Sequence, residues 1–154
     1  MARLPSLYLK TLLTLLVSVV LVVITGGWLG SRALERQAIV RLADALERTA
    51  RVMEPDVLAA FATPPALQGS AETLARRAGC RVTIVNADGI VLGDSEQTAT
   101  TLPLMDNHRG RPEVADALRG RASWSLRYST TVRSPMLYLA LPLTEAGQVV
   151  GVLR

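Results

Sequence analysis

Apolar residues are distributed in three distinct ways along this chain. Over residues 11–31 no side chain is charged, and Lys10 and Arg32 close the run at either end. As a helix, that run spans roughly 31 Å, the hydrocarbon thickness of a bilayer. Over residues 32–53 the apolar positions return at helical intervals: Ile39, Leu42, Leu46, Thr49 and Met53 recur in a 3-4-3-4 pattern. Glu35, Arg36, Arg41, Asp44, Glu47, Arg48 and Arg51 occupy the other faces. This predicts an amphipathic helix continuous with the apolar one. It serves either as the seam of a dimeric stalk or as a single helix packed on its own domain. Glu54-Pro55 predicts an interruption, because the residue before proline avoids the helical region. A short helix can restart over residues 56–61.

Beyond Thr63-Pro64-Pro65 the pattern shortens. Gly69-Ser70 reads as a cap, residues 71–78 as a short helix, and Gly79 as its end. The period then becomes two. Residues 81–85 read as a strand, Asn86-Ala87-Asp88-Gly89 as a turn and residues 90–92 as the hairpin partner. A long polar loop, residues 94–111, leads to a helix from Pro112 to about Leu118. Residues 122–129 alternate, with Trp124, Leu126 and Tyr128 on one face and Ser123, Ser125, Arg127 and Ser129 on the other. That is the pattern of a half-buried strand. A turn over residues 130–135 leads to residues 136–143, apolar on both faces as in a central strand. Glu145–Gln148 then turns into a strand over residues 149–153. The predicted architecture is α+β: a transmembrane helix and a long amphipathic helix, then a five-stranded antiparallel sheet with helices on one face. The expected organisation is a cytoplasmic tail (1–10), a membrane helix (11–31), a juxtamembrane stalk (32–65) and a sensor-like domain (66–154). The last strand stops at Arg154 with no polar tail, the pattern expected of the N-terminal piece of a longer protein.

The apolar run exceeds the usual h-region of a cleaved signal, so it reads as an uncleaved anchor in the inner membrane, single-pass in this chain. Arg3 and Lys10 favour a cytoplasmic N-terminus, diluted by Arg32, Arg36 and Arg41 beyond the run. A long downstream domain translocates regardless of its charge, which places residues after Ser31 outside the membrane. Thr14, Ser18, Gly26 and Gly30 lie on one stripe. Ser18, Gly26 and Gly30 are candidate contacts for a second copy, since small residues let helices approach in lipid.

Charge and composition narrow the chemistry. With Arg3 and Lys10 set aside, 15 basic residues stand against 13 acidic ones. There is no basic block with interleaved aromatics, which argues against nucleic-acid binding. Cys80 is the only cysteine, so no intrachain disulfide forms, and its place beside an apolar strand predicts a buried thiol. The serines lack a nucleophile-elbow context, which leaves a membrane-tethered hydrolase without a catalytic constellation. One histidine and one cysteine do not make a metal site.

Ala87-Asp88-Gly89 between strands, followed by Gly93-Asp94-Ser95, resembles the first hairpin of extracytoplasmic PAS/Cache sensor domains. Met105-Asp106-Asn107-His108-Arg109-Gly110-Arg111-Pro112-Glu113-Val114 resembles the M-[ED]-N-H-x-x-R-P-E-[IV] signature of phosphate-regulon (PhoR-like) sensor histidine kinases. Ala117-Leu118-Arg119-Gly120, Leu126-Arg127-Tyr128-Ser129, residues 136–143 and Gly151-Val152-Leu153-Arg154 continue the likeness. The resemblance implies the sensory part of a two-component kinase. A second membrane span, a HAMP linker and a kinase core using ATP and Mg would follow, and the core would engage a cognate response regulator. None of these is in residues 1–154. His108 lacks a phospho-acceptor context, so no catalytic residue and no cofactor is expected in this chain. The same module also precedes chemoreceptor and cyclase outputs, or stands alone as an anchored binding domain.

The candidate ligand-binding residues are Asp94, Asn107, His108, Arg109, Arg111, Arg127 and Tyr128. The planar guanidinium fork suits a phosphate or carboxylate, so a small anion is the expected ligand, with a partner membrane protein as the alternative. Alternation along the strand means that Arg127 and Tyr128 cannot both point inward. Asn107 and His108 can also serve by fixing the loop, and Asp94-Ser95 by capping it.

Overall fold

A computed structural model describes residues 6–63, 65–129 and 133–154. Residues 130–132 of the expected turn, Pro64 of the expected break and Arg3 fall outside the described residues. The chain divides into two compact units, one ending at Arg41 and the other running from Leu42 to Arg154. Helix α1 is Ser6–Phe61.

In the first unit the apolar side chains of α1 face outward, Leu9, Leu16, Ile24 and Leu29 among them. This helix is long and apolar enough to cross a membrane. Its hydroxyls are satisfied within the helix: Thr14 Oγ1 donates to the Lys10 carbonyl at 2.8 Å, and Ser18 Oγ to the Thr14 carbonyl at 2.9 Å. That internal bonding is what a helix in hydrocarbon needs. At the polar end of the run the Arg32 guanidinium lies 4.1 Å from the Trp28 ring centroid. Gly26 and Gly30 have no neighbour within 4 Å of a built Cβ, so both positions lie open.

The second unit is built on one sheet. Its strands are β1 (Thr83–Asn86), β2 (Val91–Asp94), β3 (Ser123–Ser129), β4 (Ser134–Glu145) and β5 (Gln148–Leu153). They are antiparallel, in the order β2-β1-β5-β4-β3. Helix α2 (Ala66–Ala78) ends at Gly79, whose left-handed backbone lets its N–H reach the Ala75 carbonyl. Met53 and Val57 of α1 and Leu67, Ala71 and Leu74 of α2 pack against Ile84, Leu143 and Leu153. On the other face, Val114 and Ala117 of α3 (Pro112–Ala117) pack against Val85, Val91, Ala140 and Val152. The alternation of Ile84 with Val85, and of Val152 with Leu153, builds the two cores. Gly151 is required where it stands: a Cβ there would lie 2.6 Å from both the Phe61 ring and the Val85 carbonyl oxygen.

Several expectations need correction. Helices cover both faces of the sheet, not one. Helix α1 continues through Pro55 to Phe61. Proline removes one helical bond, but the packing of Val57 and Phe61 in the core carries the helix onward. Helix α2 starts at Ala66, so Gly69 is internal rather than a cap. Strand β4 is interior, but β5 takes the middle of the sheet. Of the two alternatives for residues 32–53, Leu46 and Met53 follow the helix packed on its own domain, while Leu42 stays exposed. Cys80 is exposed, because strand β1 begins three residues later and leaves it in the turn after Gly79.

Strand β3 alternates as expected, with the opposite face outward. Trp124, Leu126 and Tyr128 are 43%, 47% and 64% exposed, and the Ser125 and Arg127 side chains turn toward α3. The reason is Glu113. Its carboxylate is fully buried on α3, and an unpaired buried charge costs more than leaving three apolar side chains half wet. The polar face of β3 supplies two of its partners, Ser125 and Arg127.

Candidate functional site

The site forms where α3, the inward face of β3, the end of β5 and the loop before α3 meet. Glu113 sits in the first turn of α3, directly after Pro112. Ser125 Oγ donates to its Oε2 at 2.6 Å. Arg127 Nη2 and Arg154 Nε donate to its Oε1 at 2.8 and 2.9 Å. Burial would raise the Glu113 carboxyl, but the Ser125 bond, its own backbone N–H and Arg154 outweigh it and hold it below the usual range. Burial also lowers Arg154 from its ordinary value, with Glu113 acting in the opposite sense. Both guanidinium groups lie over the Tyr138 ring, Arg127 at 4.5 Å and Arg154 at 4.3 Å from the centroid. Such contacts hold planar cations in place.

In front of this cluster opens a cleft of about 440 Å³. Met105, Asp106, His108 and Arg111 line it on the loop side, and Arg127, Tyr138 and Arg154 on the sheet side. Arg111 makes no ion pair with any described residue. Arg127 Nε is buried without a hydrogen-bond partner among the described residues. His108 is 5% exposed, and its Nδ1 lies 2.8 Å from the Asp106 carbonyl oxygen, so Nδ1 carries the proton as donor. Burial lowers its pKa against the Asp106 carbonyl, and the positive charges of Arg154 and Arg111 lower it further. The ring is therefore neutral at pH 7. The cleft holds more positive than negative charge, with donors still free.

Of the candidates read from the sequence, His108, Arg111, Arg127 and Tyr128 line this cleft. Asp94 does not. It is fully buried, taking bonds from Thr83 Oγ1 at 2.7 Å, the Glu96 N–H at 2.9 Å and the Arg81 guanidinium at 3.0–3.1 Å. Asn107 ties the loop: its Oδ1 accepts the Arg109 N–H at 2.8 Å and its Nδ2 donates to the Asp88 carbonyl at 3.0 Å. Arg109 is exposed and outside the lining. Sequence reasoning missed Glu113, Tyr138 and Arg154. The signal was present in part, since pairing β3 with β4 sets Tyr138 opposite Ser125, on the face of Arg127.

A second hollow of about 280 Å³ lies beside α1, with Leu46, Ala50, Met53, Leu137, Leu139 and Leu153 in its walls. Among the described residues no three His, Cys, Asp or Glu side chains converge as a metal site would require.

No family model matches the chain, and no curated protein matches it. A solved structure does. The fold is similar to the sensor domain of the V. cholerae histidine kinase DctB, with a TM-score of 0.54 at 15% identity. The match covers 77% of this chain and 53% of that one, so this chain spans about half the length of that domain. At this identity the likeness is one of fold: an antiparallel α+β sheet with a long N-terminal helix.

Proposed function

We propose that this chain is the membrane-anchoring, sensory part of a two-component sensor histidine kinase. It holds its sensor domain outside the inner membrane and responds to a small anion. The fold likeness to a histidine kinase sensor domain supports the sensory role. The motif at residues 105–114 supports the finer phosphate-regulon-type reading. The kinase core, with its ATP and Mg, belongs to domains beyond this chain, and a cognate response regulator is the partner those domains engage. The small-residue stripe Ser18, Gly26 and Gly30 suits a homodimer.

The observation that carries the anion reading is the charge balance of the cleft. Four arginines, Arg81, Arg111, Arg127 and Arg154, line it beside one carboxylate, Asp106. Arg81 is paired with Asp94 and Glu96, Arg127 and Arg154 share the buried Glu113, and Arg111 makes no ion pair among the described residues. A compact oxyanion bridging Arg111 to the pair on the sheet would satisfy donors the protein leaves open. Binding that favours one arrangement of α3 against the sheet would shift a two-state equilibrium, which is all that signalling requires. The test is calorimetric titration of the purified full chain with inorganic phosphate, sulfate and citrate. The reading predicts saturable binding of at least one, weakened about tenfold or more by Arg111→Ala. No binding, or binding indifferent to Arg111, would contradict it.

A further inference from the structure

Glu113 is a carboxylate shut away from water directly behind the cleft, and it holds two of the four arginines that line it, Arg127 and Arg154. Arg127 Nη2 and Arg154 Nε both donate to the same oxygen, Oε1, at 2.8 and 2.9 Å. Ser125 pins the other oxygen at 2.6 Å. The donors that would grip an anion in the cleft are thus partly taken by a group of the protein itself. The remaining capacity is visible: Arg111 is without an ion pair and Arg127 Nε without a partner among the described residues.

We propose that Glu113 is a resident competitor for the ligand, occupying Arg127 and Arg154 until an anion entering the cleft draws them away. This rests on the anion-sensing reading above. It gives that reading a mechanical consequence. The Arg154 backbone is paired on both sides of Thr83, its N–H to the Thr83 carbonyl at 2.8 Å and its carbonyl to the Thr83 N–H at 2.7 Å. Its side chain reaches Glu113 on α3. A change of partner at this guanidinium therefore alters the tie between α3 and the end of the middle strand. Arg127 makes the matching tie from α3 to the edge strand β3.

Competition and bracing predict opposite signs. A glutamine at 113 still accepts from the two arginines and still meets Ser125, but its charge is gone. If Glu113 is only a brace, Glu113→Gln weakens anion binding as the site loosens. If it competes, Glu113→Gln leaves the arginines in positive excess and the anion binds more tightly. The experiment is titration of the full-length wild type and Glu113→Gln with phosphate, sulfate and citrate, with thermal unfolding alongside. The expected result is affinity raised about tenfold or more, since hydrogen bonds to charged groups are the strong ones. The ligand-free variant should also have a lower Tm and a larger rise on anion addition. Unchanged or weaker binding by a folded Glu113→Gln overturns the proposal and leaves the anion site standing. Should that variant fail to fold, the wild type decides: a crystal structure of the full chain with bound phosphate in which the Arg127 or Arg154 contact to Glu113 is broken supports competition, and one that keeps both contacts at hydrogen-bond distance overturns it. Absence of anion binding by the wild type overturns the site itself.

Discussion

At the scale of single residues, the buried charges separate structure from function. Asp94 has every acceptor position engaged, by Thr83, Glu96 and Arg81, and faces no cleft. Asp94→Ala should destabilise the domain by roughly 3 kcal/mol, because it strands the polar groups gathered around it. Urea unfolding measures this, and a loss within about 0.5 kcal/mol would show the cluster to be ornamental. His108 behaves differently. Its pKa in the fold lies below the ordinary value of 6.5, so the unfolded chain takes up a proton first as pH falls. The stability that the neutral ring confers is complete above pH 6.5 and is lost as pH falls from there through the folded-state value. Thermal unfolding between about pH 8 and 5 should therefore show a steeper loss for the wild type than for His108→Gln. Parallel curves would contradict this.

At the scale of elements, what was legible in the sequence was what local periodicity controls. The strands around the Asn86–Gly89 turn, helix α3 after Pro112 and the alternation of β3 all stand within a residue or two of expectation. What was not legible depended on partners distant in sequence. The outward face of β3 was decided by Glu113, ten or more residues away, which recruits Ser125 and Arg127. Pro55 was overruled by a core that Val57 and Phe61 enter. Half of the cleft lay on the loop that the motif marked. The other half, Tyr138 and Arg154, required the β3–β4–β5 register, which no single strand reveals. The inverted β3 has a direct consequence. Leu126, 47% exposed on an edge strand, should tolerate Leu126→Ser with a change of about 0.5 kcal/mol or less. Leu141→Ala, at a fully buried position of β4, should cost roughly 3 kcal/mol. Equal losses at the two positions would show that the apolar face of β3 is covered in solution.

At the scale of the whole molecule, the chain carries an apolar helix of membrane length and an α+β domain with an arginine-rich cleft. The central proposal is that this domain faces the outside, where it meets its ligand. Cys80 offers a direct probe, being the only cysteine in the sequence and exposed in the turn before β1. Partial burial pushes its thiol up, so labelling belongs at mildly alkaline pH. Intact cells expressing the chain would be treated with a membrane-impermeant maleimide after mild reduction, with Cys80→Ser as the blank. The account predicts labelling of Cys80 without permeabilisation, in protein that stays with the membrane fraction. Labelling that appears only after the inner membrane is opened would put the domain in the cytoplasm and contradict it.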